Sequence, residues 1–179
     1  MHFICPSRKA HEEQDRIRAQ EFDSMKTLLM ALDRQASMAE KVINLTLAQA
    51  QAHQAQVVIL CCVAADDAAC SQPIEIDTAE KMTVSMNAKD TINSAEQVIR
   101  NALSPFAEAG VAARGIICAG DPAATIVEQA DRLDVTMIIM GRRHLSSFNR
   151  ILKGSVSAAV LERAHCPVLI DVSKEPSSS

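Results

Sequence analysis

The stretch that decides the fold is VTMIIMGRRHLSSFNRILKGSVSAAV, residues 135–160. It begins with a short, almost continuous apolar run and ends with Gly154-Ser155 at the start of a helical pattern. Free N–H groups at a helix start attract an anion, and Ser155 and Ser157 add hydroxyl donors. The stretch therefore predicts a buried strand, a loop and a helix whose first turn holds an anion such as phosphate.

Four more apolar runs resemble the one at 135–140, and each is short enough to be a strand buried on both faces. They are TLLMAL (27–32), VVILCCV (57–63), VAARGIIC (111–118) and PVLIDV (167–172). Helical segments separate them, and repeated strand-helix-strand units require right-handed crossovers and a parallel sheet. We expect a single doubly wound α/β domain with a five-stranded parallel sheet, strand order 3-2-1-4-5, and helices on both faces.

Helix boundary signals agree with this alternation. The first helix has a capping-box spacing at Ser37 and Glu40, and the third starts with Asp121-Pro122. The second is predicted over 78–109, with a break and restart at Ser104-Pro105 and a stop at Gly110.

Length and composition limit the possible functions. The chain has 179 residues, 48% of them hydrophobic and 22% charged, which suits one domain with a real core. A net charge of −4 gives no electrostatic footprint for nucleic acid. No run is long enough for a signal peptide or a membrane span, so we expect a cytoplasmic protein without membrane contact. We divide the chain into a polar N-terminal extension (1–24), the α/β domain (25–173) and a disordered tail (174–179).

The six cysteines form no Cys-x-x-Cys pair and lack the histidine spacing of a zinc site, so we predict no metal site. Three of them, Cys61, Cys62 and Cys118, lie in apolar runs, where cysteine usually behaves as a small buried hydrophobe. Cys62 lies next to the expected ligand site, which leaves chemical reactivity open as the less common alternative.

The spacing in the deciding stretch matches a known pattern. Gly141, two residues, His144, nine residues and Gly154-Ser155 resemble the universal stress protein motif of Gly, two residues, Gly, nine residues and Gly-Ser or Gly-Thr. Two further segments are similar to that family and occur in its order, AGDPAATIVEQADRL (119–133) and AHCPVLI (164–170). The resemblance covers about residues 26 to 172.

The resemblance implies a ligand, ATP or another adenine nucleotide, with or without Mg²⁺. In the nucleotide-binding branch of the family, the aspartate after the first strand and a residue ending the second hold adenosine, and the loop holds the phosphates. Carried over by position, the adenosine end comprises Ala31, Asp33 and Val63. The phosphate end comprises Met140, Gly141, Arg142, His144, Gly154, Ser155, Val156 and Ser157. A carboxylate such as Asp33 can accept hydrogen bonds from ribose hydroxyls.

His144 departs from the family pattern, because it occupies the position of the second glycine. One alternative is that its side chain fills the phosphate position or changes the loop conformation, since a positive φ is unusual for a non-glycine residue. The other is that its imidazole contacts phosphate beside Arg142 and Arg143, more strongly when protonated. The sequence does not decide between them.

Dedicated enzyme chemistry is not expected. The chain has no Walker-A Gly-Lys-Ser/Thr and no nucleophile-base-orienter series, which leaves at most slow, Mg²⁺-dependent ATP hydrolysis. The first functional hypothesis is a universal stress-type protein whose nucleotide occupancy alters contacts with an unidentified protein partner. The alternative is a stress protein that works without ATP as an interaction or structural dimer. Family members usually dimerise through the last strand, which here is 167–172, and we expect a homodimer.

Overall fold

The computed structural model describes residues 26–33, 39–64, 73–76, 89–141 and 156–172. The predicted N-terminal extension (1–24) and tail (174–179) lie outside these ranges. In chain order the elements are β1 (Thr27–Leu32), α1 (Ala39–His53), β2 (Gln56–Val63), β3 (Ile74–Ile76), α2 (Lys89–Glu108), β4 (Ala113–Ala119), α3 (Pro122–Arg132), β5 (Met137–Gly141), α4 (Val156–Arg163) and β6 (Val168–Asp171).

The strands form one sheet in the order β3-β4-β2-β1-β5-β6. Five strands are parallel, and they follow the predicted order, so the doubly wound α/β prediction is confirmed. The predicted count of five strands is wrong, because β3 adds a sixth strand antiparallel to β4 at the sheet edge. β3 has only three residues, Ile-Glu-Ile, too short for a periodic pattern. A short strand in this position covers an edge of β4 that would otherwise be open to other chains.

Each face of the sheet carries its own apolar layer. The layer under α1 and α2 includes Met30, Ile59 and Phe106, and the layer under α3 and α4 includes Leu29, Leu60 and Ile126. Alternate residues of the central strands enter opposite layers because successive side chains of a strand point to opposite faces. This two-sided burial explains why the strands appear in the sequence as continuous apolar runs.

The long second helix differs from its prediction. α2 runs without a break through Pro105, so the predicted break at Ser104-Pro105 is wrong. A proline inside a helix costs about 3 kcal/mol. Leu103 and Phe106 on either side of it are 2% and 0% exposed, and their burial offsets this cost. Gly110 ends the turn after the helix with a φ of 68°, as predicted. The first part of the predicted helix, residues 78–88, lies outside the described ranges.

The start of α3 has the predicted cap. Asp121 is extended, and its side chain accepts a hydrogen bond from the backbone N–H of Ala124 at 2.9 Å, while Pro122 fills the first turn. An N-cap of this type contributes about 1 kcal/mol. The capping box predicted at Ser37 and Glu40 includes Ser37, which lies outside the described residues.

The end of α1 suggests a stabilising substitution. Gln54 has a φ of 51°, a left-handed conformation that favours glycine after a helix. We expect Gln54→Gly to raise the free energy of unfolding by about 0.5 to 1 kcal/mol in urea denaturation. Gln51→Gly is the matched control, because Gln51 lies within the helix, where glycine is expected to destabilise by a similar amount. A loss of stability in both variants would contradict the prediction.

Candidate functional site

The strand order of the sheet reverses between β1 and β5. From β1 the chain passes to β2 on one side, while β5 pairs with β1 on the other. Ligands of doubly wound sheets bind outside the carboxyl ends of the strands at such a switch point. Ala31 and Met140 are register partners there, so Asp33 and Gly141 follow on the carboxyl ends of adjacent strands.

Asp33 is the acidic group that follows β1 at this edge. It follows the last residue of β1 and is exposed, while Ala31, two residues earlier, is half-buried. An exposed carboxylate at a strand end can accept hydrogen bonds from a ligand's hydroxyl groups without a large desolvation cost. The first strand thus places a hydrogen-bond acceptor at the switch point.

Gly141 permits close packing between β5 and α1. A Cβ atom at this position would lie 2.9 Å from Cγ2 of Val42, closer than normal contact. Val42 is 2% exposed and is β-branched, so it has little freedom to move away. The absence of a side chain at 141 therefore permits the packing of α1 against β5.

A substitution tests this packing role. We expect Gly141→Ala to lower the free energy of unfolding by about 1 to 2 kcal/mol through overpacking against Val42. The double variant Val42→Ala/Gly141→Ala should lose less than the sum of the two single losses, because the obstructing methyl group is gone. Strict additivity in chemical denaturation would show that the two residues do not compete for space.

Two other predicted site residues at this edge, Val63 and Met140, have side chains buried in the core. Val63 is 3% exposed and belongs to the layer under α1 and α2, and its carbonyl accepts from the N–H of Gly120 at 3.0 Å. Met140 is 5% exposed in the opposite layer. Their side chains are therefore largely withdrawn from solvent. Any contact that they offer a ligand is at the strand ends.

The first turn of α4 follows β5 in the chain. Val156 is half-buried and packs against the layer under α3 and α4, while Ser157 is half-buried with a hydroxyl group. A hydroxyl in the first turn of a helix suits an anion, because the positive end of the helix dipole lies at that turn. The remaining predicted residues, Arg142, His144, Gly154 and Ser155, lie outside the described ranges.

Gly120 and Asp121 lie at the same edge, and the sequence-based site did not include them. Gly120 has a φ of 139° and hydrogen-bonds to the end of β2. A Cβ atom there would be 3.1 Å from Oγ1 of Thr125. The signal in the sequence was the Gly-Asp pair between an apolar run and a helix, which marks a third strand end at this edge.

Burial and the groups around it keep the Cys62 thiol at this edge neutral. Burial, the largest cause, acts together with Cys118, Cys61 and Asp121 to raise the pKa of the Cys62 thiol to about 12. Only the thiolate is strongly nucleophilic, so Cys62 reacts slowly at neutral pH and faster as the pH rises. The described residues contain no group of three His, Cys, Asp or Glu side chains suited to a metal ion. None of the helices within the described ranges has the length and apolarity needed to cross a membrane.

Comparison with known proteins gives one family. Residues 25–171 match the sequence profile of the Universal stress protein family. Universal stress protein Sll1388 of Synechocystis sp. is 26% identical over 151 residues, which are 80% of this chain and 95% of that protein.

Solved structures share the fold. The universal stress protein from Archaeoglobus fulgidus in complex with dAMP superposes with a TM-score of 0.58 at 20% identity, covering 81% of this chain and 96% of that one. A universal stress protein family protein from Arabidopsis thaliana with AMP bound gives a TM-score of 0.54 at 17% identity, covering 85% and 97%.

Proposed function

The chain belongs to the universal stress protein family, and from that premise we propose that it binds an adenine nucleotide at the β1/β5 switch point. Occupancy of this site would alter contacts with a protein partner during a stress response. The observation that carries the proposal is that Asp33 and Gly141 lie at the carboxyl ends of adjacent parallel strands. Relatives crystallised with dAMP and AMP support adenine nucleotides as the ligand class.

The described residues at the strand ends suit the adenosine part of a nucleotide. Asp33 would accept hydrogen bonds from the ribose hydroxyls, with Ala31 and the end of β2 at Val63 beside the adenine. The phosphates would lie beyond Met140 and Gly141, toward the first turn of α4. Val156 and Ser157 belong to that turn, and the helix dipole favours negative charge there by roughly 0.3 to 1 kcal/mol when exposed.

The phosphate end is completed by residues known only from the sequence. Gly154 and Ser155 would supply backbone N–H groups and a hydroxyl, and Arg142 would supply positive charge. Where ATP binds, Mg²⁺ would be held largely by the phosphates, since Mg²⁺ commonly uses only one or two carboxylates with its phosphate ligands.

Substitution of His144 tests whether the site accepts a triphosphate. If its ring occupies the phosphate position, we expect His144→Gly to raise the affinity for ATP about tenfold and to leave the affinity for AMP nearly unchanged. Calorimetric titration of both nucleotides measures the two affinities. Unchanged or weaker ATP binding would remove obstruction as the explanation and favour a contact between the imidazole and phosphate.

The nucleotide itself can be sought directly. Denaturing the purified full chain and analysing the released small molecules by mass spectrometry should identify an adenine nucleotide. Finding none, together with no thermal shift in millimolar ATP and Mg²⁺, would favour the second candidate, a stress protein that acts as an interaction or structural dimer without ATP. The weaker ATPase alternative requires phosphate release above that of a Ser155→Ala control.

We further propose a cytoplasmic homodimer paired through β6. All four residues of β6 are half-exposed, it is an edge strand of the sheet, and Val172 just beyond it is 60% exposed. An edge strand of mainly apolar residues is suited to pairing with a second copy. Light scattering at micromolar concentration should give the mass of two chains, and a monomer mass would contradict this pairing.

A further inference from the structure

Two thiols lie side by side on the face of the sheet under α3 and α4. Cys62 in β2 and Cys118 in β4 are register partners on adjacent parallel strands. Both belong to the apolar layer under α3 and α4, whereas Cys61 belongs to the layer on the opposite face. The pair is therefore a feature of one face, and the chain neighbour Cys61 is excluded from it.

The spacing of neighbouring strands meets the Cα distance that a disulfide requires. Neighbouring strands lie about 4.7 to 4.9 Å apart, and disulfides join residues whose Cα atoms are about 4.4 to 6.8 Å apart. Cys62 is half-buried, and its Sγ lies 4.0 Å from the carbonyl oxygen of Pro122 at the start of α3. Cys118 is 5% exposed. Cys62 is the more accessible of the two thiols.

We propose that Cys62 and Cys118 form an oxidisable dithiol, which a peroxide converts into a disulfide between β2 and β4. Cys62 reacts first because it is the more exposed, and Cys118 resolves the product. The proposal does not depend on nucleotide binding, since it uses no group assigned to the ligand.

The chemistry balances with peroxide as the oxidant. The Cys62 thiolate attacks one peroxide oxygen, so that an S–O bond forms, the O–O bond breaks, and the other oxygen leaves as water after protonation. The Cys118 sulfur then attacks the sulfenic sulfur of Cys62. The S–S bond forms, the S–O bond breaks, and a second water carries away the Cys118 proton. Two thiols lose two electrons, and one hydrogen peroxide becomes two waters.

The surroundings of the Cys62 and Cys118 thiols set the rate of their oxidation. Among the described residues, Cys118 on the same face, Cys61 on the opposite face and Asp121 before α3 all add to the effect of burial in raising the pKa of Cys62. Burial also raises the pKa of Cys118, which Arg132 of α3 opposes and Glu128 of α3 reinforces. Because the thiolate reacts, we expect oxidation to be slow at neutral pH and to accelerate about tenfold per pH unit below the pKa. The apolar layer that disfavours a thiolate accommodates a neutral disulfide.

The test uses the full, reduced chain treated with hydrogen peroxide at pH 7 and pH 8. Remaining thiols are alkylated, and non-reduced peptides are mapped by mass spectrometry. We expect a cross-linked pair containing Cys62 and Cys118, two hydrogens lighter than the reduced peptides, that forms about tenfold faster at pH 8. Cys62→Ala and Cys118→Ala should each abolish it. The matched control Cys61→Ala should retain it, because residue 61 faces the other layer.

Two results would overturn the proposal. One is a cross-link that maps to Cys61, which fragmentation between residues 61 and 62 of the wild-type peptide detects without any variant. The other is Cys62 oxidised to sulfinic acid while Cys118 remains open to alkylation after denaturation. A cross-link that persists in Cys62→Ala would also overturn the proposal, because Cys62 could not be part of it.

Discussion

Replacing Gly115 with alanine is expected to lower the free energy of unfolding by about 3 kcal/mol, the upper end of the usual cost of overpacking. Gly115 is buried in β4 between Ile59 of β2 and Ile76 of β3. A Cβ atom there would collide with Cγ2 of Ile99, which is fully buried in α2. Because Ile99 is β-branched and close-packed, α2 must shift away from the sheet to make room.

A double variant separates this collision from other effects of alanine in a strand. Ile99→Ala alone should cost about 2 to 5 kcal/mol through the cavity that it leaves. Adding Gly115→Ala to it should cost little more, because the new methyl group partly fills that cavity. Urea denaturation of the four proteins gives the coupling energy. Equal losses from Gly115→Ala in both backgrounds would contradict the proposed contact.

The second large effect concerns the ligand. We expect Asp33→Ala to weaken the binding of AMP and of ATP about 10- to 100-fold, since a hydrogen bond to a charged group contributes about 1.5 to 3 kcal/mol. Both nucleotides should be affected similarly because the ribose is common to them. Stability should change little, since Asp33 is exposed at the end of β1.

Asp134→Asn is the matched control for this loss. Asp134 is another exposed carboxylate, but it precedes β5 and so lies toward the opposite edge of the sheet. Its φ of 47° is a conformation that asparagine tolerates. Nucleotide affinity should be unchanged in this variant. A comparable loss in both variants would indicate a general effect of charge, and an unchanged affinity in Asp33→Ala would exclude the ribose contact.

Much of the fold could be predicted from the sequence because burial on both faces of the strands leaves continuous apolar runs. The helix signal at Asp121-Pro122 was equally reliable, since the cap and the proline act locally. β3 could not be found in this way. Its three residues have no pattern of their own, and they pair with β4 only because the chain returns to that edge.

Pro105 shows how tertiary packing overrides a local signal. The proline was interpreted as a new first turn, where it removes no needed donor. In the folded protein, Leu103, Phe106 and their neighbours continue one apolar face into the core, so a continuous helix buries more surface than a broken one. The local sequence does not show how much apolar surface the continuous helix buries.

The candidate site was predictable in part. Asp33 and Gly141 come from strand ends separated by more than a hundred residues, and the order of the parallel strands was enough to bring them together. The packing of Gly141 against Val42 was not predictable, because it depends on where α1 crosses the sheet. The same is true of Gly120 beside the end of β2, whose role appears only once β4 is known to neighbour β2.

Calorimetric titration of AMP, and separately of ATP with Mg²⁺, into the nucleotide-free full chain tests the central claim of an adenine nucleotide site most directly. We predict one saturable site per chain with a dissociation constant below about 1 mM for at least one of the two nucleotides, weakened by Asp33→Ala. Absence of saturable binding of both nucleotides at millimolar concentration would contradict the claim.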